Sequence, residues 1–332
     1  MKAITALVLL LGVVPPPTDT IDAEKFDLDR AHSEIGFAIR FMGLTNVRGR
    51  FKDFGGTIMY VERDVTRSSV SVVIQAKSID TGVDQRDHDL VGASFFNADS
   101  FPTIFFQSEQ IERAPGGEGF VARGPLTMRG VTKPVVIPFA MVHGKMKDAW
   151  GNTRIGFAGA LRLARKDFGI TGNNFWNSVV DLSRMALADT VDIELNVQAE
   201  QINFDRINFG AQPGKKSLGA ALLETYSARG LGPVTAQYTL LKRDSSAVYS
   251  VGEAQLNTLA YKIMQQGRID DAIVLFKLNA DAFPQSGNVF DSLGEAYLRK
   301  GDRANALANY QKALALDPQN VGALEVVRWL KG

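Results

Sequence analysis

Apolar residues fall at every second position over much of the stretch from Phe26 to Phe204. Ile35, Phe37, Ile39 and Phe41 alternate with Gly36, Ala38 and Arg40. Val70, Val72, Ile74 and Ala76 form a second row, and Val135, Ile137, Phe139 and Met141 a third. A fourth is Ile155, Phe157, Gly159, Leu161 and Leu163. In the last, Val191, Ile193, Leu195 and Val197 are separated by Asp192, Glu194 and Asn196. A period of two predicts strands with one dry face and one wet face. Turn residues stand between rows at Gly55-Gly56, Ala114-Pro115-Gly116-Gly117 and Trp150-Gly151-Asn152. The runs amount to about eight strands, the number at which a closed barrel can just hold side chains or one small ligand. A helix is expected to interrupt them at Asp87 to Ala93.

Beyond Asp205 the spacing becomes helical and then repeats. Leu256, Leu259-Ala260, Ile263, Ala272, Phe276 and Pro284 are followed by Phe290, Leu293-Gly294, Tyr297, Ala306, Tyr310 and Pro318. Ala260 and Gly294, Ala272 and Ala306, and Pro284 and Pro318 are each 34 residues apart. Small residues sit where backbones must approach, and aromatic ones fill the space between helices. Gly267 and Gly301 supply the left-handed turn inside each pair, and the prolines stop its second helix. Period and order together resemble the tetratricopeptide repeat. Such units cannot bury their faces alone, so they stack, and their concave face implies a protein or peptide partner. The clear repeats are 253–286 and 287–320. A degenerate pair, Ala220–Arg229 and Pro233–Lys242, precedes them, and a closing helix at 321–331 follows.

The whole chain therefore divides into a segment at 1–23, a β domain at 24–204, a linker at 205–219 with the Gly and Pro content of a join, and a helical domain at 220–332. Relative motion of the two domains is the default expectation. Met1-Lys2, an apolar run from Ala3 to Val14 and Pro15-Pro16-Pro17 predict a secretory signal peptide, or else an uncleaved anchor. A periplasmic or secreted location follows from either.

Composition narrows the chemistry. A formal net charge of +1 excludes the basic footprint of a nucleic-acid binder. There is no cysteine, hence no disulfide or thiolate nucleophile, and the 3 histidines lack metal-ligand spacing, so no metal is expected. Arg86-Asp87-His88 allows an acid–base reading, but an arginine and an aspartate at a strand-to-helix junction more often pair and cap. Asp27, Asp29 and Asp80 read as turn residues, and Lys133-Pro134 and Arg165-Lys166-Asp167 as solvated strand edges. No catalytic residue and no cofactor is expected. Fifteen of the 20 phenylalanines lie between Phe26 and Phe175. Such a barrel is either packed solid or encloses an apolar cavity, and close packing favours the solid core on this ground alone.

A set of motifs shifts that balance. They include Phe26-Asp27-Leu28-Asp29 with His32-Ser33 and Phe37, Ser78-Ile79-Asp80-Thr81-Gly82, Arg86-Asp87-x-x-Leu90 and Phe101-Pro102-x-Ile104-x-Phe106. Leu126-Thr127-x-x-Gly130-Val131-Thr132-Lys133-Pro134 and Arg165-x-x-Phe168-Gly169 complete it. In order and spacing, residues 26–197 resemble the YceI-like family. The resemblance implies a lipocalin-like antiparallel barrel that binds a long apolar molecule along its axis: a polyisoprenoid, quinone or fatty-acid derivative. Strand parity then puts Phe37, Ile39, Phe41 and Ile58 in the cavity wall with Val72, Ile74 and Phe106. Phe157, Leu161, Ile193 and Leu195 would complete it. Arg86, Asp87, Asn174 and Trp176 are expected at a polar mouth, which would meet a membrane transiently. Departures from the family are the segment Thr171–Leu187 and the helical tail. The alternatives are an exported adaptor whose barrel is merely structural, and an enzyme acting on the apolar ligand.

Overall fold

The structure is a computed structural model that describes residues 22–177, 179–181, 184–244 and 248–331. The apolar run of the expected signal peptide lies outside these residues. Asp22 and Ala23 lie inside them. Asp22 pairs with Arg67 at 2.6 Å and Ala23 is buried.

The strands are β1 (Glu24–Leu28), β2 (Glu34–Phe41), β3 (Thr45–Phe51), β4 (Phe54–Tyr60), β5 (Ser69–Gln75) and β6 (Ile79–Asp80). They continue as β7 (Thr103–Gln107), β8 (Gln110–Arg113), β9 (Phe120–Met128), β10 (Val131–Lys147) and β11 (Thr153–Ala164). A small hairpin, β12 (Val179–Asp181) and β13 (Arg184–Met185), leads into β14 (Leu187–Gln201). Several are two halves of one interrupted strand. β1 and β2 are separated by a short 3-10 turn that Asp29 caps by accepting from the Ala31 amide, and both halves pair with β14. Likewise β3–β4, β5–β6 and β7–β8 each run as one strand. The result is a closed, eight-stranded antiparallel barrel. The helix α1 (Asp84–Val91) sits between the third and fourth strands, starting earlier than its sequence spacing suggests.

Gly55-Gly56 is not a turn. It lies inside β4, and a Cβ on Gly56 would stand 2.3 Å from the Ser71 carbonyl oxygen. The glycine lets two strands close up rather than letting the chain reverse. Gly124 in β9 is tighter still, because its Cβ would stand 1.9 Å from the Gln107 carbonyl oxygen at the β7–β8 break. Gly124→Ala is expected to cost about 1–3 kcal/mol through overpacking. A reversible denaturant melt would read it, and an unchanged midpoint would refute it.

Among the described residues seven helices follow: α2 (Leu218–Arg229), α3 (Leu231–Asp244), α4 (Glu253–Gln265), α5 (Ile269–Ala282), α6 (Gly287–Lys300), α7 (Arg303–Leu316) and α8 (Val321–Lys331). Gly301 ends α6 in the left-handed region with φ 85°. Tyr310, with no exposed surface, packs against Gly294, where an added Cβ would come within 2.9 Å of its ring.

The two domains are not separate bodies on a loose join. Met59 and Val61 at the end of β4 are buried in the same apolar cluster as the helices. α8 lies on the outer face of β4 and β5. There the Glu325 carboxylate, 0% exposed, accepts from the Ser71 hydroxyl and from Gln107 Nε2 at 3.2 Å.

Candidate functional site

The barrel interior is hollow for part of its length and solid for the rest. At one end Phe26, Ile58, Tyr60, Ile155 and Ala199 close the lumen, with Phe26 edge-on to Tyr60 at 5.9 Å. Tyr60 reaches across to Met141 on β10. At the other end lies a cavity of about 510 Å³, whose wall is almost wholly hydrocarbon. That size suits one small ligand or the tail of a larger one.

Phe37, Ile39, Phe41, Val72, Ile74 and Phe106 line this cavity, as do Leu161, Ile193 and Leu195. Ile58 and Phe157 do not. Both face inward, as parity requires, but they stand lower in the barrel and join the plug, where Phe157 also meets Phe139 at 6.0 Å. Parity fixes a residue's face and not its height.

The rim is formed by α1, the β2–β3 hairpin and the segment before β14. Arg86 lines the cavity and ties α1 to the strand before it, donating to the Thr81 carbonyl at 2.9 Å and hydroxyl at 2.8 Å. Asp87 turns away from the cavity and accepts from the Thr81 amide at 2.9 Å, a capping role. Asn174 is an exposed turn residue and does not line the cavity either. Its neighbour Asn173 makes the local bonds, accepting from the amides of Phe175 and Trp176. That turn delivers Trp176 to the cavity, where it meets Phe41 at 6.2 Å, and leaves Phe175 outside and 54% exposed. Leu44 and Val83, both exposed, flank the same opening.

Arg165 is the residue that the sequence placed wrongly. It is no solvated edge but 4% exposed, and it lines the cavity. Its guanidinium donates to the carbonyls of Ala188, Ile170 and Thr171 at 2.7–2.9 Å and to Asn177 Oδ1 at 3.2 Å. One side chain thus fastens the Trp176 segment to the start of β14. Burial lowers the guanidinium's pKa, partly offset by Asp189. Its presence in the Arg-x-x-Phe-Gly motif was the available signal. Arg165→Met should leave these carbonyls unpaired. Amide exchange is expected to accelerate across 170–177 with that of β11 unchanged; protection as strong as before would exclude the fastening role.

Next to Ile155 of the plug on β11, Arg154 bridges three carboxylates. It meets Asp148 at 2.6 Å, Glu200 at 2.8 Å and Asp29 closer still. Burial pushes the Asp148 carboxyl up, but bonds from Arg154 and the Asn152 and Trp150 amides overcome it and hold it at about 2. Asp29 is lowered in the same way, by Arg154, His32 and Gln198 against its burial. Burial wins at Glu200, whose carboxyl is raised.

This chain is similar to known proteins. A YceI-like domain is recognised over residues 26–199, and a tetratricopeptide repeat over 288–320. A UPF0312 protein of Vibrio cholerae is 33% identical over 202 residues, 60% of this chain and 100% of its own. One from Photorhabdus laumondii is 37% identical over 144 residues, 43% of this chain and 73% of its own. Among solved structures, Burkholderia cenocepacia BcnA superposes with TM-score 0.45 at 24% identity, covering 52% of this chain and 98% of BcnA. The domain match takes in every strand that lines the cavity and just over half of the chain, and on that ground the chain belongs to the YceI-like family, with tetratricopeptide-type helices appended to its barrel.

Proposed function

We propose that this protein is a carrier for a long apolar molecule of the polyisoprenoid, quinone or fatty-acyl type, held with its tail in the barrel and its polar end at the rim. The observation that carries the reading is the cavity itself: about 510 Å³ walled by aromatic and aliphatic side chains and stopped below by a plug. Each buried methylene contributes roughly 0.8 kcal/mol, so no hydrogen bond to the tail is needed. Arg86, Thr81 and Gln85 are the polar groups that an emerging head group meets. The exposed Leu44, Val83 and Phe175 suit a rim that touches a membrane while loading. The apolar N-terminal run supports a place outside the cytoplasm. The role is binding and transfer rather than catalysis, with the helical domain as the protein-docking part.

Native mass spectrometry of the chain purified from bacterial membrane extracts tests this. One apolar molecule per barrel is expected; protein that is empty from every preparation would overturn the carrier reading.

A further inference from the structure

In stacked helix pairs the first helix of each pair forms the inner, ligand-facing surface. Here those are α2, α4, α6 and α8, and each of them touches the chain's own β domain or the segment leaving it. α8 holds β5 through Glu325 and Ser71. On α6, Asp291 and Glu295 face the Lys25 ammonium of β1 at 3.5 and 3.9 Å. Among the described residues, α5 and α7 make no hydrogen bond or ion pair to residues 22–204.

The segment Ile202–Gly210 covers α4 and α2, and it is held by its main chain. Gln265 of α4 accepts from the Phe204 amide at 2.7 Å and donates to the Ile202 carbonyl at 2.5 Å. Lys262 donates to the carbonyls of Phe204 and Asp205 at 2.6 and 2.8 Å. Gln255 donates to the Gly210 carbonyl. Phe204 stacks on Tyr261, with ring centroids 4.2 Å apart and planes 7° from parallel. Phe209 lies on Gly219 of α2, where an added Cβ would come within 2.3 Å of its ring. The sequence here is duplicated: Ile202-Asn203-Phe204 and Ile207-Asn208-Phe209. A mere connector needs neither paired aromatic anchors nor three side chains gripping its backbone.

We propose that Ile202–Gly210 is a built-in peptide ligand of the helical repeats, occupying the inner face of α2 and α4. A protein partner for that face is then a competitor of the same chemistry: an extended segment with two aromatic residues spaced like Phe204 and Phe209. Tethering gives the internal copy an effective concentration of about millimolar order, so a free peptide at micromolar concentration is excluded. This is independent of what the barrel carries.

The test uses the full chain and a fluorescent synthetic peptide with the sequence of residues 200–212. The intact protein is expected to bind it weakly. A Phe204→Ala/Phe209→Ala chain, with its internal anchors removed, should bind it at least tenfold more tightly, and adding Lys262→Ala should reverse the gain. Equal binding by the intact and double-variant chains, or no binding by a folded double variant, would overturn the proposal. Should the double variant melt, Phe204→Leu replaces it. Faster amide exchange across 202–210 with β14 unchanged is then expected, and exchange accelerating equally in both would overturn the proposal.

Discussion

Ile193→Trp should leave the barrel folded and its cavity unable to hold a guest. Ile193 sits at mid-height on β14, paired with Leu161 on one side and Phe37 on the other, and all three line the cavity. An indole there projects into free volume rather than into packed neighbours, so its cost to stability is expected to stay below about 1.5 kcal/mol. The volume it takes is volume lost to an apolar tail. Binding of oleate or farnesol should weaken at least tenfold, equivalent to about 1.4 kcal/mol. Val136→Trp, on the exposed outer face of β10, is the control and should bind as the unaltered chain does. Titration by intrinsic fluorescence reads both, and full binding by Ile193→Trp would mean that the guest lies elsewhere.

Arg154→Ala should be the most destabilising single change in the barrel. It leaves Asp29, Asp148 and Glu200 crowded together with no counter-charge, so the urea midpoint should fall clearly. The effect has a pH signature. Asp29 and Asp148 titrate below their ordinary values, so the stability they contribute is complete above about pH 4 and is lost as the pH falls towards about 2. Glu200 is raised and works in the opposite sense, its penalty easing on acidification. The gap between the two chains should therefore be widest above pH 5 and narrow steadily below pH 4. Urea midpoints across that range measure it; a gap that does not change with pH would refute the ionic account.

The barrel was legible in the sequence because alternation has one dominant physical cause, a sheet with one dry face, and the rows at β2, β10, β11 and β14 carry it without interruption. Height along the axis has no such signature. Ile58 and Phe157 share parity with Val72 and Leu161, yet they belong to the plug. Arg165 was misread for a related reason. A charged residue after a strand is usually solvated, and only the carbonyls of Ile170, Thr171 and Ala188, converging from two segments, make its burial tolerable. The helical pairs were legible from their period, but what they face was not. Glu325 meets Ser71 across 254 residues of chain, and no local pattern encodes that meeting.

The plug below the cavity has a consequence for traffic. With Phe26, Tyr60 and Ile155 sealing the far end, nothing can pass through from one side to the other. If the protein carries a guest as proposed, that guest must back out by the doorway through which it came in, and its donor and acceptor would have to queue at the same threshold.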